Sequence, residues 1–229
     1  MTTTRPVTSI ASPEPLLRFA FDATCAAIGL MVLLPLAAAI ALAIKLDDDG
    51  AVFYAQPRVG KHFRLFRLLK FRSMVAGADR SGLLTTAGDS RRTRVGSFLR
   101  KYKLDELPQL LNVLKGEMQL VGPRPEVERY VQMFRSEYAL LLQNRPGVTD
   151  PATLAYRHED EMLRADGAED QYVSQVLPDK LSLSLDYQRR RSFLSDLRIL
   201  MQTVLGIHAP CSPPAARVTD PTQSIAVRR

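Results

Sequence analysis

The pattern of apolar and polar positions changes character along the chain. From Ala23 to Ile44 there are 22 residues without a charge, nearly all Ala, Leu, Ile, Val or Met. Apolar residues occupy every face there rather than one stripe, which predicts a membrane helix instead of a core helix. A straight helix of that length measures about 33 Å, enough to cross a bilayer core of about 30 Å. A secretory signal fits less well: the run is long, and Lys45-Leu-Asp-Asp-Asp-Gly50 is no small-residue cleavage site. Pro35 lies inside the run and predicts a bend, because proline removes one backbone hydrogen bond and crowds the carbonyl a turn earlier. Two topologies follow. One is a kinked span. The other is a helix that enters the bilayer, turns near Leu34-Pro35 and leaves on the same side. Arg58, Lys61, Arg64, Arg67 and Lys70 place the C-terminal side in the cytoplasm. Arg5 and Arg18, set against Glu14 and Asp22, leave the other side undecided.

Beyond the apolar run the pattern shortens. Residues 1–15 carry three prolines among Thr and Ser and read as a mobile leader. Asp47-Asp48-Asp49-Gly50 reads as a turn. Val52–Gln56 and Phe63–Phe71, rich in β-branched and aromatic residues, predict a short β-hairpin. Residues 76–89 read as a loop, and Thr93–Lys101 as a short basic helix. A helix is expected from Asp105 to Lys115, ended by Gly116. Val121-Gly-Pro-Arg-Pro125 must be irregular. A second helix is expected over Glu126–Leu142, with Val131, Phe134, Tyr138 and Leu141 as its apolar stripe. A third is expected over Leu185–Leu205, with Phe193, Leu197, Leu200, Met201 and Val204 on one side and Arg189, Arg190, Arg191 and Arg198 as its cations. That third stripe fits either the membrane interface or a core-facing helix. The tail after Ile207 reads as disordered.

Charge sharpens this picture. The net charge of +7 hides an asymmetry. Residues 51–104 hold 13 Lys and Arg against two Asp, whereas residues 105–170 hold seven against 13 Asp and Glu. The basic block calls for an anionic partner: nucleic acid, anionic lipid or a phosphorylated small molecule. It lacks the aromatic interleaving of single-strand platforms and any DNA-reading motif, so nucleic acid is not an expected partner. Cys25 and Cys211 make no disulfide framework, and three histidines without a CxxC or HExxH pattern argue against zinc. The 46% hydrophobic and 24% charged composition excludes wholesale disorder.

The basic block ends at Leu104-Asp-Glu-Leu-Pro-Gln-Leu110. Taken alone, Asp105 is a good helix N-cap and Pro108 suits a first turn. The cations upstream change that reading. Phosphates bind where helix N-termini and Arg or Lys converge. Carboxylates placed there can hold Mg²⁺, which shares oxygen ligands with substrate phosphates. A carboxylate can also attack phosphorus to give an acyl phosphate. Asp105 and Glu106 therefore suit metal-assisted phosphoryl transfer. The acidic run Glu159-Asp160-Glu161 reads as a solvated helix face rather than a metal site.

Several blocks resemble the bacterial sugar transferases, the small monotopic polyprenyl-phosphate phosphoglycosyl transferases. They are Phe53-Tyr-Ala-Gln-Pro-Arg-Val-Gly60, Lys70-Phe-Arg-Ser-Met74, Arg94-Val-Gly96, Leu99-Arg100, the Leu104–Met118 stretch and Val121-Gly-Pro-Arg-Pro125. The resemblance covers about Leu16 to Gly206. It implies transfer of a sugar-1-phosphate from a UDP-sugar to undecaprenyl phosphate with release of UMP, the initiating step of a bacterial surface polysaccharide or glycoconjugate. By motif match Asp105 is the nucleophile, and Glu106 assists through Mg²⁺ as cofactor, so both are also the expected metal ligands. Arg100, Arg124 and Pro125 fall at substrate-binding positions. Lys70 and Arg72 are either anion contacts or structural ion-pair residues. Gln109 and Asn112 are either helix-packing residues or supports behind the pair.

The implied fold is mainly α with a short β-hairpin (α+β): a re-entrant membrane helix broken at Pro35, amphipathic interfacial helices and a small cytoplasmic catalytic domain. The boundaries are 1–15 for the leader, 16–46 for the membrane helix, 47–207 for the catalytic domain and 208–229 for the tail. The implied location is the bacterial inner membrane, facing the cytoplasm, in contact with membrane lipid. The sequence leaves homodimerisation and the sugar open. Three departures from the family pattern stand out: Leu34 where Ser often precedes the proline, Pro57 for a usual Glu, and Asp150 for a Gly expected to bear on the sugar-side pocket. The competing reading is a non-catalytic, membrane-anchored scaffold of a polysaccharide assembly complex.

Overall fold

The computed structural model describes residues 15–78, 82, 84–163 and 166–207, so the leader and tail expectations lie outside the described residues. The first element is one long helix, α1 (Pro15–Asp47), which runs as a single element through Pro35. The expected break there does not interrupt the helix. Proline forfeits one rung of the hydrogen-bond ladder, and the rungs on either side carry the helix on. The helix is long and apolar enough to cross a membrane. Met31, Val32 and Leu34 are exposed in its middle, whereas both flanks pack on the rest of the chain. Near its start Arg18 pairs with Asp196 at 3.1 Å and Phe21 meets Phe193 edge-on. Near its end Ile40 and Ile44 pack with Phe71 and Leu99.

The hairpin follows as expected. β1 (Phe53–Val59) pairs antiparallel with β2 (Leu65–Phe71), from Phe53 opposite Phe71 to Val59 opposite Leu65. A helical turn at Lys61–Phe63 joins them, with His62 and Phe63 at positive φ. The basic helix α2 (Arg94–Lys101) starts at Thr93, whose hydroxyl accepts from the Gly96 amide at 2.9 Å. Gly96 packs directly on the Ser73 backbone, where a Cβ would lie 2.0 Å from the Ser73 carbonyl oxygen.

The helix expected over Asp105–Lys115 is divided. A 3₁₀ turn covers Leu104–Glu106, and α3 (Gln109–Leu114) begins after Pro108. Lys103, in the left-handed region at φ 58°, turns the chain into that 3₁₀ turn. Asp105 is thus not the cap of a regular helix. β3 (Gln119–Val121) comes next and takes in Val121, so the expected irregular segment begins at Gly122. The helix expected over Glu126–Leu142 is also two: α4 (Glu128–Met133) and α5 (Arg135–Leu141), parted at Phe134 with φ −119° and ψ 44°.

β4 (Gly147–Thr149) pairs parallel with β3. Gly122 and Gly147 touch backbone to backbone: a Cβ on Gly147 would lie 2.1 Å from the Gly122 nitrogen. α6 (Pro151–Ala155) is capped by Asp150, which accepts from Thr153 N and Oγ1 and from Ser184 Oγ. Three short helical pieces follow: α7 (Glu159–Met162), α8 (Ala168–Gln171) and a π-helical stretch at Tyr172–Val176. The third expected helix is in fact two, α9 (Leu177–Arg190) and α10 (Phe193–Leu205). Arg191 breaks the path because its guanidinium turns inward to the Val121 carbonyl and to Asp196. Ser192 and Ser195 then cap α10 reciprocally.

Three apolar clusters result. The largest joins α4, α5 and α9 around Tyr130, Tyr138 and Tyr172. A second joins Ala26 of α1 to Leu68, Val113, Met118 and Ile199. The third seats the end of α1 on β2 and α2. Together the last two hold α3, and with it the Asp-Glu pair, against the long helix.

Candidate active site

The 3₁₀ turn presents Asp105 and Glu106 to a cavity of about 580 Å³. Asp105 is 3% exposed, and its Oδ1 is buried with no hydrogen-bond partner. A bare buried carboxylate oxygen is costly and uncommon in a folded protein. Glu106 is the opposite case. Arg124 grips both of its oxygens, with Nη1 donating to Oε2 at 3.1 Å and Nη2 donating to Oε1, while the Lys70 ammonium lies 3.6 Å from Oε1. The three partners come from β2, the 3₁₀ turn and the irregular segment after β3. The Gly122–Gly147 contact seats that last segment.

Electrostatics separates the two carboxyls. Burial raises the Asp105 pKa, and the Glu106 charge raises it further against Lys70, Arg100 and Lys103. Burial also pushes Glu106 upward, but Arg124 and Lys70 outweigh it and hold Glu106 well below the usual carboxylate range. Burial draws the Lys70 ammonium down to about 8 despite the attraction of Glu106. Glu106 is therefore the standing anion, and Asp105 the group nearer to neutrality.

The expected site residues divide. Lys70, Arg100 and Arg124 line the cavity with the pair. Arg72 lines it too, but its guanidinium is bound to the Asp48 carbonyl at 2.9 Å and to the Asp48 carboxylate at 3.3 Å, which is the structural alternative. Pro125 is buried outside the lining, and its carbonyl accepts from Arg58 at 3.2 Å. Asn112 holds the edge of β2, accepting from Leu69 N at 3.0 Å and donating to Arg67 O at 2.8 Å. Gln109 is buried, and neither atom of its amide has a partner. Asp150 sits in its cap behind the lining, holding the lining residue Thr153.

Sequence reasoning missed the opposite wall. Glu159 and Asp160 line the cavity, paired with Lys180 at 2.6 Å and Arg92 at 2.7 Å; only Glu161 of that acidic run is the solvated residue expected. Glu126 is the hub beside them. It pairs with Arg58, accepts from the Tyr172 hydroxyl at 2.7 Å and from its own Val127 amide at 2.8 Å. Tyr172 and Lys180 meet Glu126 and Glu159 only through the fold.

Among the described residues no cluster of three or more His, Cys, Asp or Glu is placed to hold a metal. A magnesium ion asks for less, commonly one or two carboxylates with substrate phosphates completing its shell. The bare oxygen of Asp105 fits that donor set, whereas the oxygens of Glu106 are taken by Arg124 and Lys70.

Residues 14–209 match the family model described as bacterial sugar transferase. The chain belongs to the bacterial sugar transferase family. Several relatives within reach of this sugar transferase carry more specific names. One is the UDP-N-acetylgalactosamine-undecaprenyl-phosphate N-acetylgalactosaminephosphotransferase of Aeromonas hydrophila, 41% identical over 63% of this chain and 36% of that protein. Another is the undecaprenyl-phosphate glucose phosphotransferase of Komagataeibacter xylinus, 37% identical over 81% of this chain and 34% of that one. A third is the exopolysaccharide production protein ExoY of Sinorhizobium fredii, 34% identical over 80% of this chain and 82% of that one. The match spans about a third of the length of the first two and about four-fifths of the third.

Proposed function

We propose that this sugar transferase moves a sugar-1-phosphate from a UDP-sugar to undecaprenyl phosphate, releasing UMP, through a covalent intermediate on Asp105. The observation that carries this is the buried, unpartnered Oδ1 of Asp105 in a cavity also lined by Lys70, Arg100, Lys103 and Arg124. The names of the relatives support the acceptor.

The chemistry follows from these residues. Lys70, Arg100, Lys103 and Arg124 draw in the donor diphosphate. The Asp105 carboxylate attacks the phosphorus that bears the sugar, and the bond to the UMP oxygen breaks. UMP leaves as an anion, its charge met by the same cations. An oxygen of the lipid phosphate then attacks that phosphorus, and Asp105 departs as a carboxylate. Glu106 spreads Arg124 and Lys70 at fixed positions throughout. A magnesium ion held by Asp105 would neutralise diphosphate charge.

We also propose a re-entrant placement at the cytoplasmic face of the bacterial inner membrane. A spanning helix can touch a cytoplasmic body at one end only. α1 touches the same body at Arg18, Phe21, Ile40 and Ile44, which supports having both ends on one side. In chains freed of native cysteines, labels placed at Thr4 and at Gln223 should both react from the cytoplasm; a periplasmic Thr4 would mean a simple span.

The test of the reaction is UMP release from a panel of UDP-sugars without acceptor, using protein in nanodiscs with Mg²⁺. Release limited to about one UMP per enzyme, absent in Asp105→Asn, is the expected result. A strictly ternary pattern would sink the covalent step. Silence across the panel from folded protein would favour the scaffold reading.

A further inference from the structure

Part of the lining of the cavity that holds Asp105 belongs to one apolar cluster and forms its apolar arm. Leu120 of β3, Val148 of β4, Leu154 of α6 and Leu200 of α10 line it, with Leu110 of α3. Leu120 and Leu154 are buried, so the arm reaches the core. Val204 lines the same cavity and is 81% exposed, so it stands at a mouth.

The polar side chains of this arm are already satisfied. Thr149 and Thr203 bond each other at 2.8 Å, Thr203 donates to the Ile199 carbonyl at 2.8 Å, and Thr153 donates to Asp150 at 2.7 Å. These hydroxyl protons are committed inside the protein, and the arm offers little to a water-soluble ligand. A sugar nucleotide is polar along its whole length and would leave these leucines unfilled. The mouth opens beside the outer face of α10, where Phe193, Leu194, Leu197 and Met201 are exposed. An exposed apolar face of that kind suits contact with lipid.

We infer that this arm seats the first isoprene units of the polyprenyl phosphate acceptor, with its phosphate at Asp105 and the rest of its chain leaving past Val204. The inference rests on the transfer reaction proposed above. The acceptor joins a charged head to a branched hydrocarbon. It needs one cavity that is cationic at one end and dry at the other, opening on lipid. The cavity shared by Arg124 and Leu200 has both ends.

The experiment separates the two half-reactions of the whole chain in nanodiscs. Val204→Trp narrows the mouth. Its acceptor-independent UMP burst should stay within about twofold of the parent, while its KM for undecaprenyl phosphate rises about tenfold or more. An unchanged acceptor KM overturns the inference, including the case in which the arm merely holds a phospholipid acyl chain and only membrane affinity moves. If Val204→Trp also loses the burst, Val204→Ala decides: a raised acceptor KM with a normal burst supports the arm, and an unchanged KM overturns it. A parent enzyme that gives no burst with any donor overturns the transfer reading itself, and this inference falls with it.

Discussion

Two buried carboxylate clusters lie side by side in this molecule. Around Glu126, two cations and a tyrosine converge, and each carboxylate oxygen has a partner: Arg58 and the Val127 amide on Oε1, Tyr172 on Oε2. Lys180, aligned over the Tyr172 ring and paired with Glu159, adds its charge. Around the Asp105–Glu106 pair the two paired cations, Lys70 and Arg124, serve Glu106, and Asp105 Oδ1 is left bare. The difference separates architecture from chemistry. A saturated carboxylate can only hold its neighbours in place. An unsaturated one, kept from water among cations, is free to form a bond.

The comparison breaks most sharply at Asp105. Asp105→Asn should lower UMP release by about 10⁴-fold or more, as loss of a nucleophile does. It should do so without lowering Tm, because the amide keeps the shape of the carboxyl and removes its repulsion with the Glu106 charge. A large fall in Tm would mean that Asp105 is structural after all. The mirror experiment is Glu126→Ala. It leaves Arg58 and the Tyr172 hydroxyl without their acceptor and should cost about 3–5 kcal/mol in denaturant unfolding. Because Arg58 also holds the Pro125 carbonyl, the burst rate should fall with it; full stability would dissolve the contrast.

Tyr172→Phe sharpens the same point on a smaller scale. It deletes one hydrogen bond to a charged acceptor, for about 1.5–3 kcal/mol of stability, and leaves donor specificity alone. The smallest effect is read by pH. Burial draws the Lys70 ammonium down to about 8, so its charge is present below that pH and is lost as pH rises through it. The donor half-reaction should decline above about pH 8, tending to about tenfold per unit. Lys70→Arg, whose cation does not titrate there, should remove that limb. A limb that survives the substitution belongs to another group.

Much of this was legible in the residues, and the exceptions have a common cause. The hairpin announced itself by β-branched and aromatic runs, and α2 by Thr93 and its short basic stretch. The stripe over 126–142 gave the right face, that over 185–205 lies largely exposed on α10, and both hid the breaks. A one- or two-residue interruption preserves the rotational phase well enough for an apolar pattern to look continuous. The second break is written only in Arg191, whose partners Val121 and Asp196 are set by tertiary contact, and in the Ser192–Ser195 cap. In the site, the blocks around Lys70, Arg100, Asp105, Glu106 and Arg124 stood out. Their division of labour did not, because Arg124 meets Glu106 across 18 positions of chain and Glu159 faces them from another element. Glu159 and Asp160 looked like solvent residues because their cationic partners lie 21 and 68 positions away.

The double attachment of α1 has a further consequence. Membranes of differing thickness sort spanning helices, because a span must match the hydrocarbon width or tilt, stretch and deform the bilayer around it. A helix fastened to one body at Arg18 and again at Ile44 is exempt from that match. In the re-entrant placement proposed above, its exposed Met31, Val32 and Leu34 enter part of one leaflet only. Lengthening or shortening the acyl chains of the host membrane should therefore leave the distribution of this protein unmoved, where a true span of equal length would be redistributed.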